Sequence, residues 1–177
     1  SGEDGAKDRR QIFNLSATAA SPQFAGSKLR MLGAGWQVAP IVRILSGGTV
    51  NVENPTDPGL IYVRPQRPNL LLASPYGDRS VKNFLNPNAF AAPLPGTLGN
   101  LGHAAIRGPG TWQFDVALSR NFKVRETQRV EFRAEAFNLT NSFRMDTLDS
   151  NSTSSTFGQI IAARDPRIMQ FALKYVF

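Results

Sequence analysis

The C-terminal segment Arg167–Phe177, with the sequence RIMQFALKYVF, alternates with a period of two residues. Counted back from the terminus, one face carries large apolar side chains: Phe177, Tyr175, Leu173, Phe171 and Met169. The other face is mixed, which is the pattern of a β-strand with one apolar side. Chain ends usually fray unless their surroundings hold them. An ending on Tyr-Val-Phe therefore predicts a final strand whose aromatic side chains are held at a membrane interface.

The composition favours strands and loops over helices. The 177 residues include 15 glycines and 12 prolines, and 41% of them are hydrophobic. The absence of cysteine excludes disulfides and thiolate metal sites. No apolar run approaches the roughly 18 residues of a membrane-spanning helix, but a membrane β-barrel is compatible with the sequence because its strands only alternate.

The charge does not indicate a nucleic-acid partner. The net charge is +7, yet the basic residues are spread along the whole chain. A nucleic-acid-binding protein would concentrate Lys and Arg on one element and place aromatic residues among them. We therefore expect no nucleic acid among the partners.

Alternation predicts five strands, near residues 9–19, 29–45, 111–124, 128–139 and 167–177. The third and fourth form a hairpin if the turn is centred on Glu126, because Phe122 then faces Val130 and Leu118 faces Ala134. Pro40 is an exception within the second strand, since proline removes a ladder hydrogen bond.

The two faces of this hairpin differ in chemistry. One face is apolar and includes Trp112, Phe114, Val116 and Leu118. The opposite face is charged or hydroxylic, and its main members are Asp115, Glu131, Arg133 and Glu135. Such a polar face suits a water-filled lumen, whereas the apolar face suits lipid.

Long and short connections alternate along the chain. Residues 47–110 and 140–166 form long Pro- and Gly-rich or polar loops, whereas residues 125–127 form a short turn. This asymmetry is typical of outer-membrane barrels. We predict an all-β fold, in which residues 1–177 form a single unit of antiparallel strands from a partial outer-membrane-type β-barrel. The alternative is an autonomous soluble β-rich module, such as a β-sandwich, that is secreted or periplasmic and binds or hydrolyses polysaccharide.

Three segments together carry a family resemblance: Arg107-Gly-Pro-Gly110, Phe132–Asn138 (FRAEAFN) and the aromatic terminus. They closely resemble the C-terminal barrel region of TonB-dependent outer-membrane receptors, of the Oar-like type with a carboxypeptidase-regulatory-like N-terminal domain. The similarity covers most of residues 9–177. His103 departs from it, because the family usually has Arg there.

The resemblance implies a barrel of roughly 22 strands with a plug in its lumen, of which this chain looks like only the last part. It implies ligand import across the bacterial outer membrane, or a surface role. The partners would be outer-membrane lipid, the remaining strands and plug of a parent receptor, and a polysaccharide or other ligand at the long loops. Phe171, Leu173, Tyr175 and Phe177 look like the signal read by the barrel-assembly machinery, or they form an interfacial aromatic girdle.

Catalytic and metal motifs are scarce. Asp115 and Glu135 would be diagonal neighbours about 7–8 Å apart, a separation that glycoside hydrolysis can use. The simpler interpretation is a charge ladder balanced by groups such as Lys174. His103 lacks a nucleophile signature. The sequence around Asp146, Asp149 and Asn151 lacks the Gly and Glu of a calcium loop, so we expect no catalytic residue, metal or cofactor, and keep the carboxylate pair as an alternative.

Overall fold

The computed structural model of the protein describes residues 8–22, 25–26, 30, 32–58, 60, 62 and 64–177. These residues form short and long β-strands: β1 Ile12–Ser16, β2 Ala19–Ala20, β3 Trp36–Leu45, β4 Thr49–Val50, β5 Asn69–Leu70, β6 Tyr76–Ser80, β7 Asn83–Leu85, β8 Phe90–Ala91, β9 Ile106–Arg107, β10 Thr111–Lys123, β11 Arg129–Phe137, β12 Met145–Leu148, β13 Ile160–Ala163 and β14 Ile168–Val176. A short 3₁₀ helix covers Pro87–Ala89. The described ranges contain no helix of the length and apolarity needed to cross a membrane. The all-β prediction is confirmed.

The chain divides into two compact units. The first, called the loop unit, consists of residues 1–11, 46–111 and 144–164. The second, called the sheet unit, consists of residues 12–45, 112–143 and 165–177. The predicted strands assemble into the sheet unit, whereas most of the predicted loops 47–110 and 140–166 belongs to the loop unit.

The sheet unit is a single sheet in the order β1-β3-β10-β11-β14, with β2 also paired to β3. β1 pairs antiparallel with β3, and β11 pairs antiparallel with both β10 and β14. Apart from Ala20 of β2, the strands of the sheet lie within the predicted ranges. The second predicted strand begins only at Trp36, and residues 29 and 31 of its predicted range lie outside the described residues. β1 and β14 are the two ends of this order, so the sheet does not close on itself.

The predicted hairpin register is present in the structure. Phe122 lies opposite Val130, Leu118 opposite Ala134, and Lys123 opposite Arg129, which centres the turn on Glu126. The turn is closed by the hydrogen bond from the Val124 N–H to the Gln128 carbonyl, 2.9 Å. Because the register matches, all even-numbered side chains of β10 and β11 share one face.

Pro40 explains why the first predicted strand is split in two. β1 ends at Ser16, opposite Ile41, and β2 begins at Ala19, opposite Val38. Between them, the Ala17 N–H donates to the Pro40 carbonyl at 3.2 Å, whereas proline has no N–H to return the bond. The ladder is therefore interrupted only where proline cannot pair.

The loop unit has a hydrophobic core of its own. Its buried members are Val52, Phe84, Leu85, Leu101, Ile106, Leu148, Phe157 and Ile160. Edge-to-face aromatic pairs extend it, with ring centroids 5.7 Å apart for Tyr76–Phe84 and 5.2 Å apart for Phe90–Phe157. The core holds four two-stranded ladders, β4–β9, β5–β8, β6–β7 and β12–β13. Segments expected to be irregular loops are therefore organised by burial of scattered apolar side chains.

Backbone contacts join the two predicted loops within this unit. The Gly158 carbonyl accepts hydrogen bonds from the N–H groups of Phe84 and Leu85, both at 3.0 Å. Gly158 has a φ of +82°, and a Cβ there would lie 2.6 Å from the Leu85 carbonyl oxygen. Only glycine combines that conformation with so close an approach. Residues 144–164 are thus tied directly to residues 46–111.

Candidate functional site

The apolar face of the sheet is continuous across the strands. Rows of partners run across β10, β11 and β14, for example Phe122–Val130–Tyr175 and Leu118–Ala134–Phe171. On β14 and at the residue after it these side chains remain exposed, with 68% of Phe171, 74% of Leu173 and 90% of Phe177 accessible. In a soluble β-sandwich this face would pack against a second sheet. Here it is open, as expected for a surface that contacts lipid.

Arg120 is a structural feature that the sequence analysis did not explain. It lies on the apolar face yet is only 8% exposed. Its guanidinium carbon lies 5.2 Å from the Trp36 ring centroid and 4.5 Å from that of Phe122, and Nη1 donates to the Leu32 carbonyl at 2.8 Å. The Trp36 ring in turn meets Phe132 edge to face at 6.1 Å. The sequence signal for this cluster is an arginine two residues before Phe122, on the same strand face and close to a short turn. Such an arginine can extend along an apolar surface and over aromatic rings to reach a polar partner.

The polar face carries the predicted ladder of charges. Glu131 lies opposite Lys174 in the register of β11 and β14. Arg133 forms ion pairs with Glu131, 3.2 Å, and with Glu135, 3.5 Å. These charges balance one another along and across the strands, as expected of a hydrated surface.

Asp115 is engaged in holding the end of the hairpin. Its carboxylate accepts hydrogen bonds from the Asn138 N–H at 2.7 Å and from Gln113 Nε2 at 2.8 Å. Asn138 is 1% exposed, has a φ of +50°, and exchanges hydrogen bonds with Ser142. The pair Asp115 and Glu135 thus shares the polar face, but each carboxylate has a different local partner.

The remaining sequence candidates lie in the loop unit and are not brought together. His103 Nε2 is 3.4 Å from Asn51 Nδ2. Asp146 pairs with Arg164 at 3.6 Å. Within the described ranges, no group of three or more His, Cys, Asp or Glu side chains could hold a metal ion.

The loop unit contains a cleft that the sequence analysis did not identify. Its volume is about 340 Å³. Both chain segments of the unit line it: Asn54, Pro87, Phe90, Ala91 and Ala92 from the first, and Ser152, Thr153, Ser154, Ser155 and Phe157 from the second. The cleft therefore exists only because residues 144–164 pack against residues 46–111.

Asp149 shapes the hydroxyl-rich wall of this cleft. Its carboxylate accepts hydrogen bonds from the Asn151 N–H, 3.1 Å, and from Thr156 Oγ1, 2.6 Å. Burial raises the pKa of Asp149, but the hydrogen bonds from Ser154, Thr156 and Asn151 outweigh burial and hold the pKa below its ordinary value of 3.8. The ionised carboxylate is thus the form that orders residues 149–156.

Substitution of Asp149 by asparagine should lower the free energy of unfolding of the loop unit by about 1 kcal/mol near neutral pH, because a partly exposed charged acceptor is lost. The pKa of Asp149 is lower in the folded protein than its value of 3.8 in the unfolded chain. Asp149 therefore stabilises the fold fully when the pH is above 3.8, and this stabilisation is lost as the pH falls through the pKa of the folded state. Urea unfolding at about pH 6 and about pH 3 checks this linkage. The difference between the wild type and the variant should shrink at the lower pH, and an unchanged difference would show that Asp149 does not act through its charge.

An antiparallel sheet with one exposed apolar face, one face of paired charges and two open edges defines a segment of a membrane β-barrel wall. The sequence matches the family model described as "Outer membrane beta barrel domain" over residues 4–170. The chain therefore belongs to this outer-membrane β-barrel family, and it is localised in the bacterial outer membrane. Searches of curated proteins and of solved structures returned no match.

Proposed function

We propose that this chain is the C-terminal barrel segment of a TonB-dependent receptor-like protein that captures a ligand for import across the outer membrane. The proposal rests on the observation that one chain forms two units with different surfaces. The sheet unit has a lipid-compatible face and a hydrated face, while both long connections are built into a second unit with a cleft. A barrel that only anchored the chain would not require its long connections to share a core.

The charged face of the sheet supports the proposal that this face borders a hydrated lumen. Glu131, Arg133 and Glu135 form ion pairs there, and Lys174 lies opposite Glu131. A plug domain or a passing ligand would meet this surface. We propose outer-membrane lipid, a plug and the remaining strands, which the family resemblance implies, as the partners of this sheet.

The experiment is a binding measurement between the full-length protein, purified from its own outer membranes, and the periplasmic domain of the TonB protein of the same cell. Saturable binding that disappears on addition of a peptide copied from the TonB-contacting region of the full-length protein would support a receptor. Absence of binding by membrane-inserted protein would contradict TonB dependence and leave the outer-membrane barrel assignment in place.

We further propose that Phe171, Leu173, Tyr175 and Phe177 form the barrel-assembly signal. β14 pairs with β11 along one edge, and its apolar side chains are exposed. An open strand edge can add to an exposed strand of another protein, while its alternating side chains provide recognition. Tyr175 and Phe177 lie 6.1 Å apart between ring centroids, at the end of this row.

Replacing Tyr175 and Phe177 together by serine should reduce the amount of protein folded in the outer membrane by about tenfold, because both recognition rings are lost. The measurement is the folded fraction in isolated outer membranes, with total synthesis matched. The control is Lys174→Ser with Val176→Ser, which changes the same strand on its other face. An equal reduction in the two double variants would contradict the assembly-signal role.

A further inference from the structure

The cleft of the loop unit has the size and construction of a small-ligand site. Its volume of about 340 Å³ lies within the range of roughly 300–1,000 Å³ that ligand sites occupy. Its walls come from two chain segments, which a shared core and the Gly158 hydrogen bonds hold together. The shape of the site is therefore fixed by the fold of the unit before any ligand arrives.

One wall presents hydroxyl oxygens whose protons are directed into the protein. Ser152 Oγ donates to the Glu53 carbonyl at 3.2 Å, and Thr153 Oγ1 donates to Asn151 Oδ1 at 2.8 Å. Ser154 Oγ lies 3.1 Å from Thr156 Oγ1, which itself donates to the Asp149 carboxylate at 2.6 Å. A hydroxyl group has one proton and two lone pairs, so a hydroxyl that donates inwards can still accept. This wall is therefore matched to a ligand that donates several O–H groups.

Apart from Asn54, the lining residues of the first segment are apolar. Pro87, Phe90 and Ala92 are among them, and the Phe90 ring is supported edge to face by Phe157, with centroids 5.2 Å apart. Of the residues that line the cleft in the described part of the chain, none carries a charged side chain. A ligand with a phosphate, carboxylate or ammonium group would lose its hydration there without gaining a counter-charge.

We propose that this cleft binds a neutral saccharide, with the hydroxyl edge of the sugar ring donating to Ser152–Ser155 and its C–H face packed against Phe90 and Pro87. This inference rests on the proposed function, and it names the class of ligand that the receptor captures. A free oligosaccharide and a terminal segment of a polysaccharide offer the same chemistry to the cleft.

The test measures saccharide binding to the purified full-length protein in detergent by isothermal titration calorimetry. The probes are linear neutral hexasaccharides of glucose, mannose, galactose and xylose, and the neutral polysaccharides of the same sugars. At least one probe should bind saturably. Binding of the hexasaccharide would identify a free oligosaccharide as sufficient, whereas binding of the polymer alone would identify the polysaccharide as the ligand.

Two variants localise the binding to the cleft. Ala92 is exposed at its rim, so Ala92→Trp fills the cleft without disturbing the core and should weaken binding by at least about tenfold. Ser155→Ala removes one exposed hydroxyl that lines the cleft and should weaken binding by about threefold. The matched control is Leu98→Trp, which places the same ring at a position 71% exposed outside the cleft and should leave the affinity unchanged.

Absence of binding by every neutral probe, or equal affinity in Ala92→Trp and Leu98→Trp, would overturn the inference. These results are separable from failure of the proposed function. A protein that binds TonB but no saccharide retains the receptor role and loses only its ligand class. A protein that binds saccharide in the cleft but not TonB keeps the site and loses the import role.

Discussion

Replacement of Leu85 by alanine should lower the free energy of unfolding of the loop unit by about 3 kcal/mol. Leu85 is fully buried, at 0% exposure, in the core that both long connections share. Leucine-to-alanine changes at such sites typically cost about 2–5 kcal/mol, because apolar contacts are lost and a cavity remains. The appropriate measurement is hydrogen exchange of the Phe84 and Leu85 amides, whose hydrogen bonds to Gly158 form only when the two segments are together.

The control is Leu98→Ala, at a position in the same unit that is 71% exposed. This change should alter the stability by no more than about 0.5 kcal/mol. If both variants have the same effect, residues 46–111 and 144–164 do not fold around a common core. The cleft between them would then also lose its structural basis.

Arginine at position 171 should destabilise the folded protein in a lipid bilayer by about 2–4 kcal/mol, because a charged side chain on the lipid face must be removed from water. Phe171 is 68% exposed on the apolar face, in the row of Leu118 and Ala134. Folding of the full-length protein into phosphatidylcholine vesicles, titrated with urea, measures this cost.

The matched control is Gln170→Arg. Gln170 is the preceding residue, lies on the polar face and faces Glu135 in the register. A positive charge there meets a carboxylate in water and should change the stability little. A larger loss for Gln170→Arg than for Phe171→Arg would reverse the assignment of the two faces.

The sheet could be predicted from the sequence because its side chains alternate over long runs. In β10 and β11 the short turn around Glu126 leaves little freedom for the register, so placing Phe122 opposite Val130 also fixes Leu118 opposite Ala134. Membership of an outer-membrane β-barrel family agrees with that pattern. The TonB-dependent function and the assembly signal stay proposals with the tests described above.

The loop unit could not be predicted in the same way. Several of its strands are only two or three residues long, such as Thr49–Val50 and Asn83–Leu85, so alternation is too brief to recognise. Its core side chains are separated by prolines and glycines, and Phe157 packs against Phe90 across 67 sequence positions. Burial between distant segments, rather than local periodicity, creates both the core and the cleft.

The role of Arg120 depends on residues that are distant in the sequence. Within β10 it interrupts the apolar face, so alternation alone marks it as a defect. The stabilising partners are the Trp36 and Phe122 rings and the Leu32 carbonyl, two of which lie far away in the chain. Their positions follow from the pairing of β3 with β10 in the sheet.

The orientation of β14 tests the central claim most directly. Because the chain contains no cysteine, Leu173→Cys and Ala172→Cys each provide a unique thiol for an environment-sensitive fluorophore. In outer-membrane vesicles, the label at position 173 should be quenched by spin-labelled lipid and protected from iodide, and the label at position 172 should show the opposite behaviour. Equal quenching of both labels by iodide, with no effect of the lipid quencher at position 173, would contradict a lipid-facing sheet.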